Sequence, residues 1–316
     1  MPVEGRRLTS GTLLKKARIR GIGDEPRNTG KDQAPSEEAL RQRSSSAPCG
    51  SASLSAKAEP EFRFYLLYDK VYREDILAHA YAQCRANKGA PGVDGQEFAD
   101  IEAYGVKRWL GDLALALKEE KYRPDPIRRV YIPKANGKLR PLGISTLRDR
   151  VCMTAAMLVL DPIFDADLSP EQYAYRRGRN AQQAVVEMEE TLFRDHPEVV
   201  DADLADYFGS IPHAELMRSL ARRIVDGRVL HLMKMWLECA VEDTDDKGRK
   251  TRTTEAKDSG RGIPQGSPIS PLLANLYMRR FVLGWKKLGL EERLGSRIVT
   301  YADDRAPRRR EGVFMN

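Results

Sequence analysis

Three carboxylates in this sequence follow short apolar segments, at positions where a strand would end. Asp203 lies at the end of the apolar segment at residues 199–204, and Asp303 and Asp304 follow the segment at residues 297–301. If the strand ends meet, these carboxylates could bind hard divalent cations, because Mg²⁺ prefers carboxylate oxygens supplemented by water and phosphate. Each aspartate alone could instead start a turn, where Asp is common.

Basic side chains are concentrated between residues 121 and 150. The whole chain has a net charge of +7, yet residues 59–304 hold 38 Lys/Arg against 39 Asp/Glu. Within that neutral body, residues 121–150 hold nine basic side chains against two acidic ones. Clustered cations are typical of a surface that binds polyphosphates or nucleic acid. The alternative is a solvated pair of surface strands.

The composition is that of a globular protein with a polar N-terminal segment. Of the 316 residues, 41% are hydrophobic, which is enough for a sizeable core, and no apolar run reaches eighteen residues. Residues 1–58 are rich in serine and basic side chains and poor in large apolar ones, so we expect this segment to be disordered. The N-terminus lacks the apolar stretch of a secretory signal, which predicts a soluble, cytosolic protein without a membrane partner. The cysteines are widely spaced and are expected to be reduced and structural; they are Cys49, Cys84, Cys152 and Cys239.

Hydrophobic periodicity predicts helices and strands that alternate irregularly. The predicted helices lie at residues 69–87, 104–120, 147–164, 180–195, 213–226 and 270–288, and the predicted strands at residues 199–204 and 297–301. Pro162 and Gly227 are expected to end the third and fifth of these helices, and Ser270 to cap the sixth. The polar segment at residues 242–259 is expected to form an exposed hairpin or loop. Because strands and helices lack a regular βαβ repeat, the pattern favours an α+β fold.

The sequence from residue 128 to residue 144 is typical of a β-hairpin. Asn136 and Gly137, which form a strong hairpin signal, separate two segments of strand-forming residues. A two-residue loop would pair Lys134 with Leu139 and place Lys134 and Arg140 on opposite faces. If both cations bind one ligand, the loop needs a bulge or one more residue.

Five segments in this order resemble the motifs of reverse transcriptases, and most closely those of the group II intron-encoded, or retron-type, branch. They are Ile132 to Ile144, Tyr173 to Ala181, Asp203 to Phe208, Ile263 to Pro271, and Tyr301 to Asp304. The loop from Gly92 to Gly95 is also similar to the N-terminal finger segment of that branch. The resemblance covers about residues 60–304. It implies the fingers and palm of a right-hand polymerase, with fingers and part of the palm at residues 59–190, palm at residues 191–304 and an atypical basic tail at residues 305–316.

The resemblance implies an RNA-directed DNA polymerase that uses an RNA template, a DNA primer and deoxynucleoside triphosphates. Asp203, Asp303 and Asp304, with the backbone carbonyl of Leu204, would hold two Mg²⁺ ions, or Mn²⁺ in their place. One ion would lower the pKa of the primer 3′-hydroxyl, and the other would neutralise charge on the triphosphate and pyrophosphate.

The resemblance also assigns residues to the nucleotide. Lys134 and Arg140 would bind the incoming triphosphate, and Gln265 and Gly266 would contact the templating base pair and nucleotide. Phe208 would lie under the sugar and exclude a ribose 2′-hydroxyl. Alternatively, Phe208 is simply part of the core, which is the usual position of Phe.

Four further residues are assigned to the template and primer by the same resemblance. They are Arg176, Arg177, Arg179 and Tyr301. The three arginines would lie near the nucleotide pocket or the template backbone, and Tyr301 would pack beside the primer terminus. The alternative for the arginine cluster is a solvated face.

The sequence departs from the family pattern at two places. After Asp304 the proline and arginines of residues 305–310 replace an apolar strand, which predicts a hairpin without its returning arm, a missing thumb and a truncated or frame-shifted chain. Gly209 stands where an acidic residue is common, and Ala205-Asp206 replaces a basic or small residue followed by glycine. The second function class is therefore a catalytically incompetent remnant, or an RNA-binding maturase-like accessory.

Overall fold

Helices and strands alternate irregularly in the part of the chain that the structure describes. The computed structural model describes residues 59, 61–133, 137, 139–194, 199–202, 204–245, 247–301 and 313–315, the last three and residue 201 as backbone only. All of them belong to a unit that spans Glu37–Asn316. The predicted disordered segment at residues 1–58 lies outside the described residues. Across the described ranges, every helix is too short or too polar to cross a membrane.

The elements are numbered in chain order. The helices are α1 (Tyr68–Val71), α2 (Glu74–Ala86), α3 (Phe98–Tyr104), α4 (Val106–Lys118), α5 (Leu147–Asp165), α6 (Ala181–Phe193), α7 (Tyr207–Ser210), α8 (His213–Ala221), α9 (Gly227–Leu237), α10 (Glu255–Ser259), α11 (Ser270–Lys287) and α12 (Leu290–Leu294). The strands are β1 (Ile127–Pro133), β2 (Leu139–Ile144), β3 (Val200–Ala202), β4 (Val241–Thr244), β5 (Lys250–Thr253), β6 (Ile298–Thr300) and β7 (Val313–Met315). This is mixed α and β structure, as the α+β prediction requires.

A four-stranded sheet has the order β2-β1-β4-β5. The predicted hairpin at residues 128–144 is confirmed as the antiparallel pair β1 and β2. The polar segment after residue 241 forms a second hairpin, β4 and β5, and β4 pairs in parallel with β1. The sheet therefore contains two strands that precede residue 190 in the sequence and two that follow it. Residue 190 is where the predicted fingers segment ends.

A three-stranded sheet has the order β3-β7-β6, and its middle strand corrects the sequence analysis. The hairpin that starts with β6 was expected to lack a returning arm, because proline and arginines come next. The structure pairs β7 antiparallel with both β3 and β6. The physical reason is that the returning strand starts beyond the basic run, at the short apolar segment Val313–Met315, and three residues suffice to pair with two three-residue strands.

Gly227 begins a helix instead of ending one, and the helix that it begins was missed. Asp226 caps α9 by accepting a hydrogen bond from the Arg228 backbone N–H at 3.1 Å. The same carboxylate accepts from the backbone N–H groups of Leu67 and Tyr68 at 3.0 and 2.9 Å. An aspartate before the glycine was the available sequence signal, because Asp is a preferred N-cap residue.

Three other helix predictions change in detail. Gly105, at a φ of 102°, divides the predicted helix at residues 104–120 from the helix before it. Pro162 lies inside α5, which continues to Asp165. The Ser270 hydroxyl does not cap α11 but donates to the carbonyl of Pro264 at 2.7 Å, so it ties the helix start to the preceding loop.

Asp149, at the start of α5, has a raised pKa that makes stability depend on pH. Burial raises its pKa from 3.8 to about 6, although Tyr122 donates to its carboxylate at 2.6 Å and the Asp125 backbone N–H donates at 3.0 Å. A raised pKa means that the folded state prefers the protonated carboxyl. This contribution to stability is therefore complete below pH 3.8 and is lost as pH rises through about 6.

Asp149→Asn is expected to remove this pH dependence. Relative to the wild type, the free energy of unfolding of the variant should improve by up to ~3 kcal/mol between pH 4 and pH 7. Urea unfolding of both proteins across that range measures the difference. If the free energies of unfolding of the two proteins differed by the same amount at every pH, the prediction would be contradicted. Asp125→Asn, which changes a partly exposed neighbouring carboxylate, is the control. Its free energy of unfolding should stay close to that of the wild type between pH 4 and pH 7.

Candidate active site

The last residues of β3 and β6 lie level with each other in the three-stranded sheet. Ala202 and Thr300 are both paired with Val313 of β7, which runs antiparallel to both strands. β3 and β6 therefore run parallel to each other and end at the same edge. One strand separates them, which corresponds to roughly 10 Å between their axes.

The three predicted metal ligands lie outside the described residues. They are Asp203, Asp303 and Asp304. Within the described ranges, no group of three or more His, Cys, Asp or Glu side chains is arranged to hold a metal ion. The carboxylate site stays a prediction, and the register of β3 and β6 is the described feature that bears on it.

The turn after β3 brings Asp206 and Gly209 close together. Asp206 has a φ of 48°, in the left-handed region that a glycine adopts more readily. A Cβ at Gly209 would lie 2.6 Å from Oδ1 of Asp206. That atom is the end of a flexible side chain, so a larger residue at position 209 would require the Asp206 carboxylate to move. The carboxylate of this turn therefore comes from Asp206, and Leu204 lies exposed at the start of the turn.

The loop at residues 262–266 is attached to the segment after this turn. The Gly262 backbone N–H donates to the carbonyl of Ile211 at 2.9 Å, and the Ile263 N–H donates to the carbonyl of Phe208 at 2.8 Å. The Phe208 side chain is 6% exposed and packs edge-on against Tyr207. Phe208 is therefore a core residue whose backbone positions the loop. Its contact with a sugar stays a prediction.

The other end of the same loop is attached to the β1–β2 hairpin. The Gly143 backbone N–H donates to the carbonyl of Gln265 at 2.7 Å. The Arg140 Nε donates to the Gln265 side-chain oxygen at 3.1 Å. A Cβ at Gly266, whose φ is 105°, would lie 2.6 Å from the carbonyl oxygen of Gly143. The structure thus brings together three of the five predicted nucleotide-binding residues, Arg140, Gln265 and Gly266.

The hairpin register provides the one additional loop residue that the sequence analysis required if Lys134 and Arg140 bind one ligand. Pro133 pairs with Leu139 and Ile132 with Arg140, so the connecting segment is one residue longer than an ideal two-residue loop would leave. Residues directly opposite each other share a face of the sheet. Lys134 is outside the described residues, so its position relative to Arg140 stays a prediction.

The predicted template arginines have different surroundings. Arg176 is largely buried and donates to Asp165 and to the carbonyls of Ser169 and Gln172, which favours a structural role. Arg177 is exposed, and among the described residues it has neither a hydrogen bond nor an ion pair. Of these two arginines, Arg177 is therefore the one open to a ligand in the way that the prediction requires.

Arg179 and Tyr301 both lie near Tyr173, beside β6. The Arg179 guanidinium stacks over the ring of Tyr173 at 4.8 Å, and Tyr301 packs against the cluster that contains this ring. The Tyr173 backbone N–H donates to the carbonyl of Thr300 at 3.0 Å. The segment before Tyr173 thus extends the sheet beside β6 and positions both predicted residues near its end.

Asn275 is a positioning residue that the sequence analysis missed. Its amide donates to the carbonyl of Ala174 at 2.6 Å, and Gln172 donates to the Asn275 carbonyl at 3.0 Å. Both side chains are buried. The available signal was a polar amide in the apolar stripe of the predicted helix at residues 270–288, because a buried amide requires hydrogen-bond partners.

Comparison with protein families decides the assignment. The family model described as reverse transcriptase (RNA-dependent DNA polymerase) matches residues 132–306, which is more than half of the chain. The chain belongs to the reverse transcriptase family. The matched region contains β2, β3, β6 and the loop at residues 262–266, whereas β7 lies beyond it.

Several proteins are similar to this member of the reverse transcriptase family. Protein YkfC of Escherichia coli (strain K12) is 35% identical over 233 residues, which cover 72% of this chain and 58% of YkfC. The group II intron-encoded protein LtrA of Lactococcus lactis subsp. cremoris is 29% identical over 231 residues, which cover 71% of this chain and 36% of LtrA. A chain of the partial Cas6-RT-Cas1--Cas2 complex has 22% identity and a TM-score of 0.48, over 79% of this chain and 38% of its own length. The chain thus spans between about a third and three fifths of these proteins.

Proposed function

We propose that this chain is an RNA-directed DNA polymerase of the group II intron type, which adds deoxynucleotides to a DNA primer on an RNA template. The observation that carries the proposal is the shared register of β3 and β6. Asp203 is one residue beyond Ala202, and consecutive Cα atoms are about 3.8 Å apart. Asp303 is three residues beyond Thr300. The chain therefore approaches both aspartates from one edge of the sheet.

The proposed metal ligands suit Mg²⁺ chemically. Asp203, Asp303, Asp304 and the carbonyl of Leu204 offer hard oxygen donors. When bound, two such ions would lower the pKa of the primer hydroxyl and balance the charge of the leaving pyrophosphate. The aspartates would hold these positions, and no histidine base is required.

The nucleotide would bind between the hairpin and the loop at residues 262–266. Arg140 is partly exposed and its Nε is held by Gln265, and its planar guanidinium suits phosphate oxygens. The close approach of Gly266 to Gly143 keeps the loop backbone next to this cation. We propose that Phe208 restricts the ribose 2′-hydroxyl from below, through its rigid position in the core.

Two features support the group II intron branch. LtrA, a group II intron-encoded protein, is 29% identical to this chain over 231 residues. The hairpin at residues 128–144 and the segment at residues 173–181 also resemble that branch. We place the four-stranded sheet, including β4 and β5, in the fingers and the three-stranded sheet in the palm.

Primer extension tests the proposal. Purified chain, a labelled DNA primer on an RNA template and four deoxynucleotides should give templated extension with Mg²⁺ or Mn²⁺ and none with EDTA. Ribonucleotides should extend the primer far more slowly. Salt-sensitive RNA binding without extension under either metal would reject this function and support the RNA-binding accessory instead.

A further inference from the structure

The loop at residues 262–266 starts beside the segment that leads into α8. The Gly262 backbone N–H donates to the carbonyl of Ile211 at 2.9 Å, and the His213 backbone N–H donates to the carbonyl of Gly260 at 2.8 Å. Both hydrogen bonds join backbone groups, so they do not depend on the side chains at these positions. They fix the point at which the chain enters the loop.

The imidazole of His213 contacts the same entry point. Its Nε2 lies 2.7 Å from the carbonyl oxygen of Gly262. A carbonyl oxygen only accepts hydrogen bonds, so Nε2 is a protonated ring nitrogen and acts as the donor. Ile211 thus holds the N–H of Gly262, and His213 holds its C=O. His213 is half-buried at the first position of α8, so a helix anchors the ring.

The segment from Gly262 to Gln265 is stiff. Gly262 has a φ of 94°, and a Cβ there would lie 3.4 Å from the carbonyl oxygen of Gly209. Ile263 is 4% exposed and belongs to the main hydrophobic core. The ring of Pro264 restricts the next φ angle. A rotation of the Gly262 peptide is therefore transmitted to Gln265 and is not absorbed between the two residues.

Gln265 is the residue through which this segment reaches the proposed nucleotide site. Its backbone carbonyl accepts from the Gly143 N–H at 2.7 Å, and its side-chain oxygen accepts from Arg140 Nε at 3.1 Å. Hydrogen bonds of this kind are lost beyond about 3.5 Å. A shift of Gln265 by about 0.5 Å away from β2 is therefore enough to release Arg140.

We propose that His213 is a positioning residue for the incoming nucleotide. It acts through the Gly262 carbonyl, and the loop carries its effect to Gln265 and Arg140, where the triphosphate is proposed to bind. This deepens the proposed function and rests on it for the identity of the ligand. Without the imidazole N–H, the half-buried carbonyl would turn toward water, because an unpaired carbonyl is costly, and the loop would leave its position against Arg140.

Two replacements of His213 separate its hydrogen bond from its bulk. His213→Leu fills similar space without a donor, whereas His213→Gln places an amide N–H at nearly the same distance from the backbone. In primer extension with Mg²⁺, His213→Leu should raise the KM for the deoxynucleotide about tenfold, and His213→Gln should restore most of that loss. His231→Leu, which changes an exposed histidine of α9, should leave this KM unchanged.

The KM distinguishes positioning from a loss of folded protein. If His213→Leu only unfolded part of the sample, the rate would fall at every nucleotide concentration and the KM would keep its wild-type value. That result would overturn the proposal. An equal rise in KM for His213→Gln would also overturn it, because the amide donor would then have no effect.

Amide hydrogen exchange tests the same link without primer, template, nucleotides or metal. The Gly143 amide donates to the carbonyl of Gln265, so its exchange rate reports whether the loop stays against β2. This amide should exchange about tenfold faster in His213→Leu than in the wild type, and at nearly the wild-type rate in His213→Gln. The Gly105 amide, which donates to the carbonyl of Ile101 in α3, is the control and should not change.

The two experiments distinguish failure of this proposal from failure of the proposed function. A wild-type chain that extends no primer would reject the proposed function, and faster exchange confined to Gly143 would still support the role of His213 in holding the loop. Unchanged exchange at Gly143 in His213→Leu would overturn that role and leave the proposed function intact. Equal acceleration at Gly143 and Gly105 would also overturn it, because the whole fold would then have been destabilised.

Discussion

Replacement of Asp203 or Asp303 by asparagine is expected to slow deoxynucleotide incorporation by at least about a thousandfold, equivalent to ~4 kcal/mol of lost transition-state stabilisation. β3 and β6 end at one edge of the sheet, so the two aspartates are proposed to share the metal ions. Asparagine has nearly the same shape but lacks the negative charge. Binding of the ions should therefore fail while the fold is retained.

Single-turnover extension of a primed RNA template measures this effect. Asp112→Asn is the matched control, because Asp112 is an exposed carboxylate of α4 that accepts from Tyr104. It should keep the wild-type rate. RNA affinity of both aspartate variants, measured without metal, should stay within about twofold of the wild type. A variant that retained a tenth of the wild-type rate would reject the assigned metal role.

Local signals in the sequence were sufficient for the elements with strong periodicity or strong turn chemistry. The hairpin at residues 128–144 is predicted by Asn136-Gly137, and α11 is predicted by its apolar stripe. β7 could not be predicted in the same way. Val313–Met315 is too short to show a period, and only its pairing with β3 and β6 identifies it as a strand.

Long-range pairing also limited what could be predicted about the candidate site. The resemblance selected Arg140, Gln265 and Gly266, but the hydrogen bond between Arg140 and Gln265 joins residues 125 positions apart. The parallel pairing of β4 with β1 likewise has no local signal in the sequence. The close approach of Gly209 to the Asp206 carboxylate likewise required coordinates.

Gly266→Ala is expected to cause the second large loss. The variant has to place a Cβ 2.6 Å from the Gly143 carbonyl oxygen and 2.8 Å from Cδ1 of Leu142, at a φ of 105°. The loop must therefore move away from β2, which breaks the hydrogen bond between Gly143 and Gln265 and separates Gln265 from Arg140. A displacement of about 1 Å at a reacting group costs on the order of a hundredfold in rate. The backbone strain should cost ~1–3 kcal/mol of stability.

Gly260→Ala provides the matched control for this glycine. Gly260 has a φ of 61°, and a Cβ there would meet nothing within 4 Å. Its substitution should cost only the ~1–2 kcal/mol of a left-handed alanine and leave the extension rate unchanged. If both variants lost stability and rate equally, the effect would come from backbone strain alone. A loss of rate confined to Gly266→Ala would show that the contact between β2 and the loop at residues 262–266 positions the nucleotide.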